Sequence, residues 1–294
     1  LMSGLKELKN RISSVKFTQK ITKAKQMVAA AKLRRAQEAA EASKPYASRM
    51  ANVVANLTAA MGEGSSGPRL LAGTGEDKVH MVVVMTAERG LCGGFNANTI
   101  KAARLKLQEL LGDGKEVKVI TVGKKGREAL KGEFSHLFVD HVDLSDAKDK
   151  FAPYAIAFGM DLSNRFENHE FDVATLVFSE FKNVLVQKPV AKQLIPAEAP
   201  EDAETVDLDG AIYAYEPSEP EILEELLPRY LNTQILSAML ENAAGEQAAS
   251  MTAMDNATRN AGELIDGLTL QYNRARQAQI TKELIEIISG AEAL

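Results

Sequence analysis

The amino-acid sequence predicts an α/β chain in which long helices at the two ends pair as an antiparallel coiled coil and a parallel-rich sheet domain fills the middle. Three observations predict it. Residues Leu5 to Lys44 contain neither Gly nor Pro. The middle of the chain alternates short β-branched apolar runs with helical patterns, the mark of a sheet covered by helices. From Glu221 onward a helical pattern returns and holds to the end. Two long helices each need a partner for an apolar seam, and the other end of the same chain supplies one.

The first element is an N-terminal coiled-coil helix, residues 1–60. Ser3 or Gly4 opens it, and Pro45 is expected to end or kink it. Its uninterrupted run of roughly 40 residues would span about 60 Å, where an ordinary helix has about 11 or 12 residues. Leu5, Leu8, Ile12 and Val15 follow steps of three and four; Phe17, Ile21, Ala24, Val28 and Ala31 follow the same steps on a displaced register. Such a repeat winds helices into a left-handed coil. Residues 61–78, rich in Gly and Ser, read as a linker.

Residues 79–215 form the central domain. Strands are expected at Val79–Thr86, Val117–Gly123, His136–Asp140, Asp172–Phe181 and Val184–Pro196, with "AIYAYEP" as an edge strand. Helices are expected at Asn96–Leu111, Lys124–Lys131 and Asp149–Asn168. Strands apolar on both faces, alternating with helices, predict a Rossmann-like sheet. Residues 216–294 form the C-terminal coiled-coil helix, with an apolar pattern from Leu223 to Ala291. Pro228 suits a first turn and otherwise kinks the helix; Gly245, Gly262 and Gly267 permit close approach of a partner backbone.

The net charge of −5 hides a segregation of sign. Lys9 to Arg35 carries nine bases and no acid, whereas between Lys192 and Arg229 stand eleven acids and no base. Solvated helix faces usually mix signs to gain i,i+4 pairs, so the basic helix asks for an acidic counterpart. Nucleic acid would want interleaved aromatics for stacking, and only Phe17 is present there. A membrane surface would want large apolar residues opposite the charges, and much of that face is alanine. An acidic protein collar fits both features; a nucleic-acid-binding coiled coil is the alternative.

Catalytic signals are sparse. Cys92, the single cysteine, excludes an internal disulfide, makes a reducing compartment the default, and reads as a small buried residue. No run of eighteen apolar residues exists, so no membrane span is expected, and the start lacks the apolar stretch of a signal peptide. His80, His136, His141 and His169 show no metal-ligand spacing. "RGLCGGFN" (Arg89–Asn96) sits where a phosphate loop would lie, but it has neither GxGxxG nor the Walker lysine; a tight turn is the preferred reading over a nucleotide enzyme.

"LKNRISSVKFTQKITKAKQMVAAAKLRRAQ" and "NATRNAGELIDGLTLQYNRARQAQITKELIEIISGAEAL", together with "RGLCGGFN" and "YEPSEPEILEELLPRYLNTQI", closely resemble the γ subunit family of bacterial F-type ATP synthases, over essentially the whole chain. The resemblance implies a non-catalytic central rotor shaft inside three α and three β subunits. Its base would meet the ε subunit and the membrane c-ring, on the cytoplasmic face of the bacterial inner membrane. It implies no cofactor on this chain, Mg-ATP and Mg-ADP being held by partner subunits, and it leaves open an inhibitory protein docking on the shaft.

Residue by residue, the resemblance carries contacts with the β and α subunits to Arg274, Arg276, Gln277, Thr281 and Glu283. It carries an apolar bearing tip to Leu284, Ile287, Ile288, Ala291 and Leu294. Lys25 departs from the family, which usually has Met there. Its ammonium is expected to pair with acids of the β subunit and to hold the shaft in one position. Ser250, where relatives often carry Arg, is a weaker departure.

Overall fold

The computed structural model describes residues 2–60, 67–198 and 218–292. The chain runs α1 (Met2–Ala60), α2 (Arg69–Ala72), β1 (Val79–Met85), α3 (Phe95–Gly112), β2 (Glu116–Val122), α4 (Lys124–Phe134), β3 (Phe138–Val142), α5 (Ala152–Glu167), β4 (Val173–Phe181), β5 (Gln187–Ile195) and α6 (Glu219–Glu292). A short 3₁₀ turn, Ser135–Leu137, occupies the start of the expected third strand and moves β3 two residues later. Residues 61–66 of the expected linker and the "AIYAYEP" strand lie outside the described residues. The chain divides into two compact units, residues 1–30 with 250–294, and residues 31–249.

In the larger unit the strands lie in the order β3-β2-β1-β4-β5, four parallel and β5 antiparallel at one edge. β1 is buried at six of its seven positions, which is why it reads as a continuous apolar run rather than an alternation. On one face Met81, Val83 and Met85 pack with Phe158 and Leu162 of α5 and with Leu231, Ile235 and Met239 of α6. On the other, Val82 and Val84 pack with Ile100 and Leu107 of α3 and Leu130 of α4. The Asp172 carboxylate accepts from the backbone N–H of Lys78 and Val79 (3.0 and 2.9 Å), aligning the starts of β1 and β4. Gly123, at φ +87°, opens α4 where a Cβ would lie 2.2 Å from the Thr86 carbonyl oxygen; only glycine fits that approach. In the same unit the first helix packs on the last through Met50, Val54 and Leu57 against Leu223, Leu227 and Tyr230.

Four expectations need correction. Pro45 neither ends nor breaks α1, which continues to Ala60. Proline leaves the carbonyl four residues earlier without its helical donor, and both Pro45 and Glu41 are exposed, on the side of the helix open to solvent. Pro228 lies well inside α6 rather than in its first turn; Glu224, four residues before it, is likewise exposed. Of the three helix glycines, Gly245 stands against Phe95 (a Cβ would be at 2.9 Å) and Gly262 against Gln19 (3.2 Å), but Gly267 faces open space.

The fourth correction concerns the seam. The inward positions of α1 are Leu5, Leu8, Ile12, Val15, Gln19, Thr22, Gln26 and Ala29, in unbroken steps of three and four. No displacement of register occurs. Phe17, Ile21 and Val28, expected in the seam, are exposed at 66 %, 41 % and 57 %. Those positions fall on roughly the opposite side of a 3.6-residue helix.

Candidate functional site

The smaller unit is a two-helix antiparallel coil whose middle is held by polar groups. Gln19 Nε2 donates to the Thr258 carbonyl (3.3 Å), and the Thr22 and Thr258 hydroxyls lie 2.7 Å apart. Gln26 Nε2 donates to Asp255 Oδ1 at 2.9 Å. A polar residue at a core position fixes register at a cost in stability, and here three successive core positions of α1 do so. On α6 the matching inward row is Met254, Thr258, Ala261, Ile265, Leu268, Tyr272, Ala275 and Gln279. Its far end meets Leu5 and Leu8 beside Ala275 and Gln279.

Beyond Gln279 the inward row stops. Every residue from Ile280 to Ala291 is exposed, including Leu284, Ile285, Ile287 and Ile288, each more than half exposed. α6 thus carries about three helical turns on which Ile280, Leu284, Ile285, Ile287 and Ile288 have no intrachain partner among the described residues. Leu284, Ile287, Ile288 and Ala291 all belong to this segment, and Leu294 lies outside the described residues.

The five polar candidates are exposed as well. Arg274, Gln277 and Thr281 share one stripe, continued by Leu284 and Ile288, and it points away from the α1 seam. Arg276, Glu283 and Ile287 form a second stripe beside the seam. The Glu283 carboxylate accepts from Gln279 Nε2 at 2.9 Å, whereas neither arginine has an acidic partner among the described residues. Lys25 is exposed on α1 and has no ion pair among the described residues. Two bare guanidiniums within one turn, ahead of exposed apolar residues, make a surface that can bind acids first and apolar walls beyond.

The outer face of α1 was missed as a surface because its apolar row imitates a seam. Phe17, Ile21, Ala24 and Val28 recur at helical spacing and are exposed, with Lys16, Lys20, Lys25 and Lys32 along their flanks. The available signal lay in the inner row, where glutamines and threonines recur in step with Leu5 and Leu8.

The "RGLCGGFN" loop is a tight turn. Leu91 and Gly93 both have positive φ (66° and 55°), and the Asn96 side chain ties the loop, accepting from Ala87 N–H (2.9 Å) and donating to the Arg89 carbonyl (3.2 Å). Cys92 is buried, and burial raises its thiol above the ordinary range, as does the Glu246 charge. A thiol held protonated is a poor nucleophile. The described residues include no cluster of three or more metal-ligating side chains, and no helix long and apolar enough to cross a membrane.

Comparison with known proteins agrees with this layout. Residues 4–294 match the ATP-synt family, described as ATP synthase. The "ATP synthase gamma chain" of Hyphomonas neptunium is 67 % identical over 294 residues, covering 100 % of both chains. That of Paracoccus denitrificans is 62 % identical over 293 residues, again covering 100 % of both. Among solved structures, a chain of the Euglena gracilis mitochondrial ATP synthase, OSCP/F1/c-ring, aligns with TM-score 0.66 at 20 % identity, covering 100 % of this chain and 95 % of that one. A chain of the central stalk/c-ring of the Tetrahymena thermophila enzyme aligns with TM-score 0.57 at 21 % identity, covering 81 % of this chain and 99 % of that one; both likenesses are of fold.

Proposed function

Because the chain belongs to the gamma-chain family of F-type ATP synthases and is the central stalk of that complex, we propose that its coil turns inside a collar of three α and three β subunits. Turning couples a membrane c-ring to ATP synthesis and hydrolysis on the β subunits. The observation that carries this reading is the bare segment Ile280–Ala291. A helix end whose apolar side chains find no partner among the described residues calls for one outside the chain, and an apolar sleeve suits rotation because it offers no directional bonds that hold one angle.

In this reading the chain performs no chemistry. Each angular position favours one β conformation through the contacts it makes, which is a population shift by differential binding. Arg274, Arg276, Gln277, Thr281 and Glu283 make the polar contacts just before the tip. Lys25 pairs with acids of the β subunit and resists leaving one position. The ε subunit and c-ring meet the sheet-bearing end at the cytoplasmic face of the inner membrane, and nucleotide stays on the partner subunits.

The test is a double substitution, Arg276→Ala with Gln277→Ala, in the purified complex. Both side chains are exposed, so the complex should assemble with one copy of this chain by native mass. Proton pumping per ATP hydrolysed should fall several-fold. Normal pumping would remove these residues from the contact set.

A further inference from the structure

A cavity of about 330 Å³ opens in the larger unit at the C-terminal end of β1. β1 lies between β2 and β4, where strand order reverses, and the crevice outside the strand ends at such a point is where open α/β sheets take ligands. The "RGLCGGFN" turn borders it but does not fill it: Arg89 is its only residue in the lining.

Three features mark this as a built site. Asn242 lines the cavity and is only 5 % exposed, yet its Oδ1 is sealed from solvent with no hydrogen-bond partner. Native proteins seldom leave such a group unsatisfied, and rotating the amide plane offers either end to a guest. One turn further along α6, Glu246 also lines the cavity; burial, only partly offset by Lys32, pushes its carboxyl up to about 7. At the rim, Lys148 and Asp149 both hold positive φ (45° and 69°), a costly conformation for two successive non-glycine residues.

Charge then selects the guest. The cationic lining is Lys32, Arg89 and Lys148, none in an ion pair among the described residues. Against it stand Glu88, Asp149 and Glu246. The Glu88 carboxylate is already committed, accepting from the N–H of Leu144 (2.7 Å) and Lys124 (3.2 Å). With Glu246 protonated, three cations face two carboxylates, and a single negative charge balances the site. The wall below is apolar, formed by Met85, Phe151 and Met239, and the volume falls within the range of small-molecule pockets.

We propose that this cavity binds a small organic monocarboxylate, its head among Lys32, Arg89 and the Asn242 amide, its apolar body against Met85, Phe151 and Met239, with Glu246 donating its proton to the bound carboxylate. Binding is therefore linked to protonation of Glu246. It favours lower pH, because only the neutral carboxyl donates and the ionised one repels.

The probe is benzoate, whose charge is constant between pH 6 and 8, titrated calorimetrically into the full chain; sulfate reports the anionic head alone. Benzoate should bind saturably, more tightly than sulfate, and roughly tenfold more tightly at pH 6 than at pH 8. Lys32→Gln with Arg89→Gln should weaken it at least tenfold. Glu246→Gln should bind at pH 8 about as well as the unsubstituted chain does at pH 6. Unchanged helicity and melting identify folded variants, and Lys148→Gln, on an exposed loop, repeats the charge test if the double variant unfolds. Absence of saturable benzoate binding, or binding indifferent to both the cation and Glu246 substitutions, would overturn the proposal.

Discussion

The two compact units are stabilised by opposite means. In the sheet-bearing unit, β1 hides side chains on both faces and the covering helices contribute Leu107, Leu130, Leu162 and Phe166, all fully buried. In the coil of residues 1–30 and 250–294, the inner row of α1 becomes polar at Gln19, Thr22 and Gln26, while Phe17, Ile21, Met27 and Val28 face outward. The first arrangement is that of a protein holding itself together. The second gives up internal burial to keep one register and leaves apolar surface uncovered among the described residues. Hydrophobic inside is a rule about the final assembly, and under the proposed function a partner completes it for the coil.

The largest predicted effect breaks the sheet unit. Leu162→Ala, at a fully buried position between α5 and β1, removes methyl groups and leaves a cavity, at a cost of about 2–5 kcal/mol. Thermal melting followed by circular dichroism should show a marked fall in midpoint. A change of under a degree would mean that the sheet core is far more plastic than its packing implies.

Glu246 comes next. Its folded-state pKa, about 7, lies above the ordinary 4.5, so the folded state holds this proton more tightly than the unfolded chain does. Stability from this group is greatest below about pH 4.5 and is lost as pH rises through 7. Glu246→Gln removes that loss. It should raise the melting midpoint by a few degrees at pH 8, on the order of 1–2 kcal/mol after allowance for partial exposure, and by almost nothing at pH 5. An equal gain at both pH values would assign the effect to packing instead.

Smaller again is the polar seam. Gln26→Leu together with Asp255→Leu replaces a half-buried hydrogen bond by apolar contact, which in a coil stabilises by about 1 kcal/mol while loosening register. The midpoint should rise slightly. If it falls, the pair stabilises the coil as well as aligning it.

The sheet was legible in the sequence because its physics is local: "VHMVVVM" and "EVKVITV" are too apolar and too β-branched to be anything but covered strands, and each βα step follows from turn chemistry. The coil's existence was equally plain from the gap in Gly and Pro. Its register was not. Two apolar rows compete along α1, and only contact with Asp255 and Thr258 of α6 decides that the more polar one faces inward. Pro45 does not end α1 for a related reason: on the wet side of a long helix, the carbonyl it leaves without a donor stays open to water. Asn242 and Glu246 gave no signal either; in an alanine-rich helix nothing marks one polar residue as buried and another as half-buried until the end of β1 packs beside them.

The outward face of α1 gives the smallest effect on stability and the sharpest test of the contrast. Ile21 and Val28 are already in water in the isolated chain, so replacing both by Ser should move the melting midpoint by no more than about 0.5 kcal/mol equivalent. If the row is reserved for the surrounding subunits, the same pair should lower the hydrolysis rate or the yield of assembled complex several-fold. Lys25→Met, on the flank of that row, should act in the other direction, raising the hydrolysis rate and lowering its temperature dependence by removing a charge that holds one position. A double variant with normal assembly and turnover would mean that the exposed apolar row is indifferent to partners, and that the polar seam gives up burial without any return at the outer face.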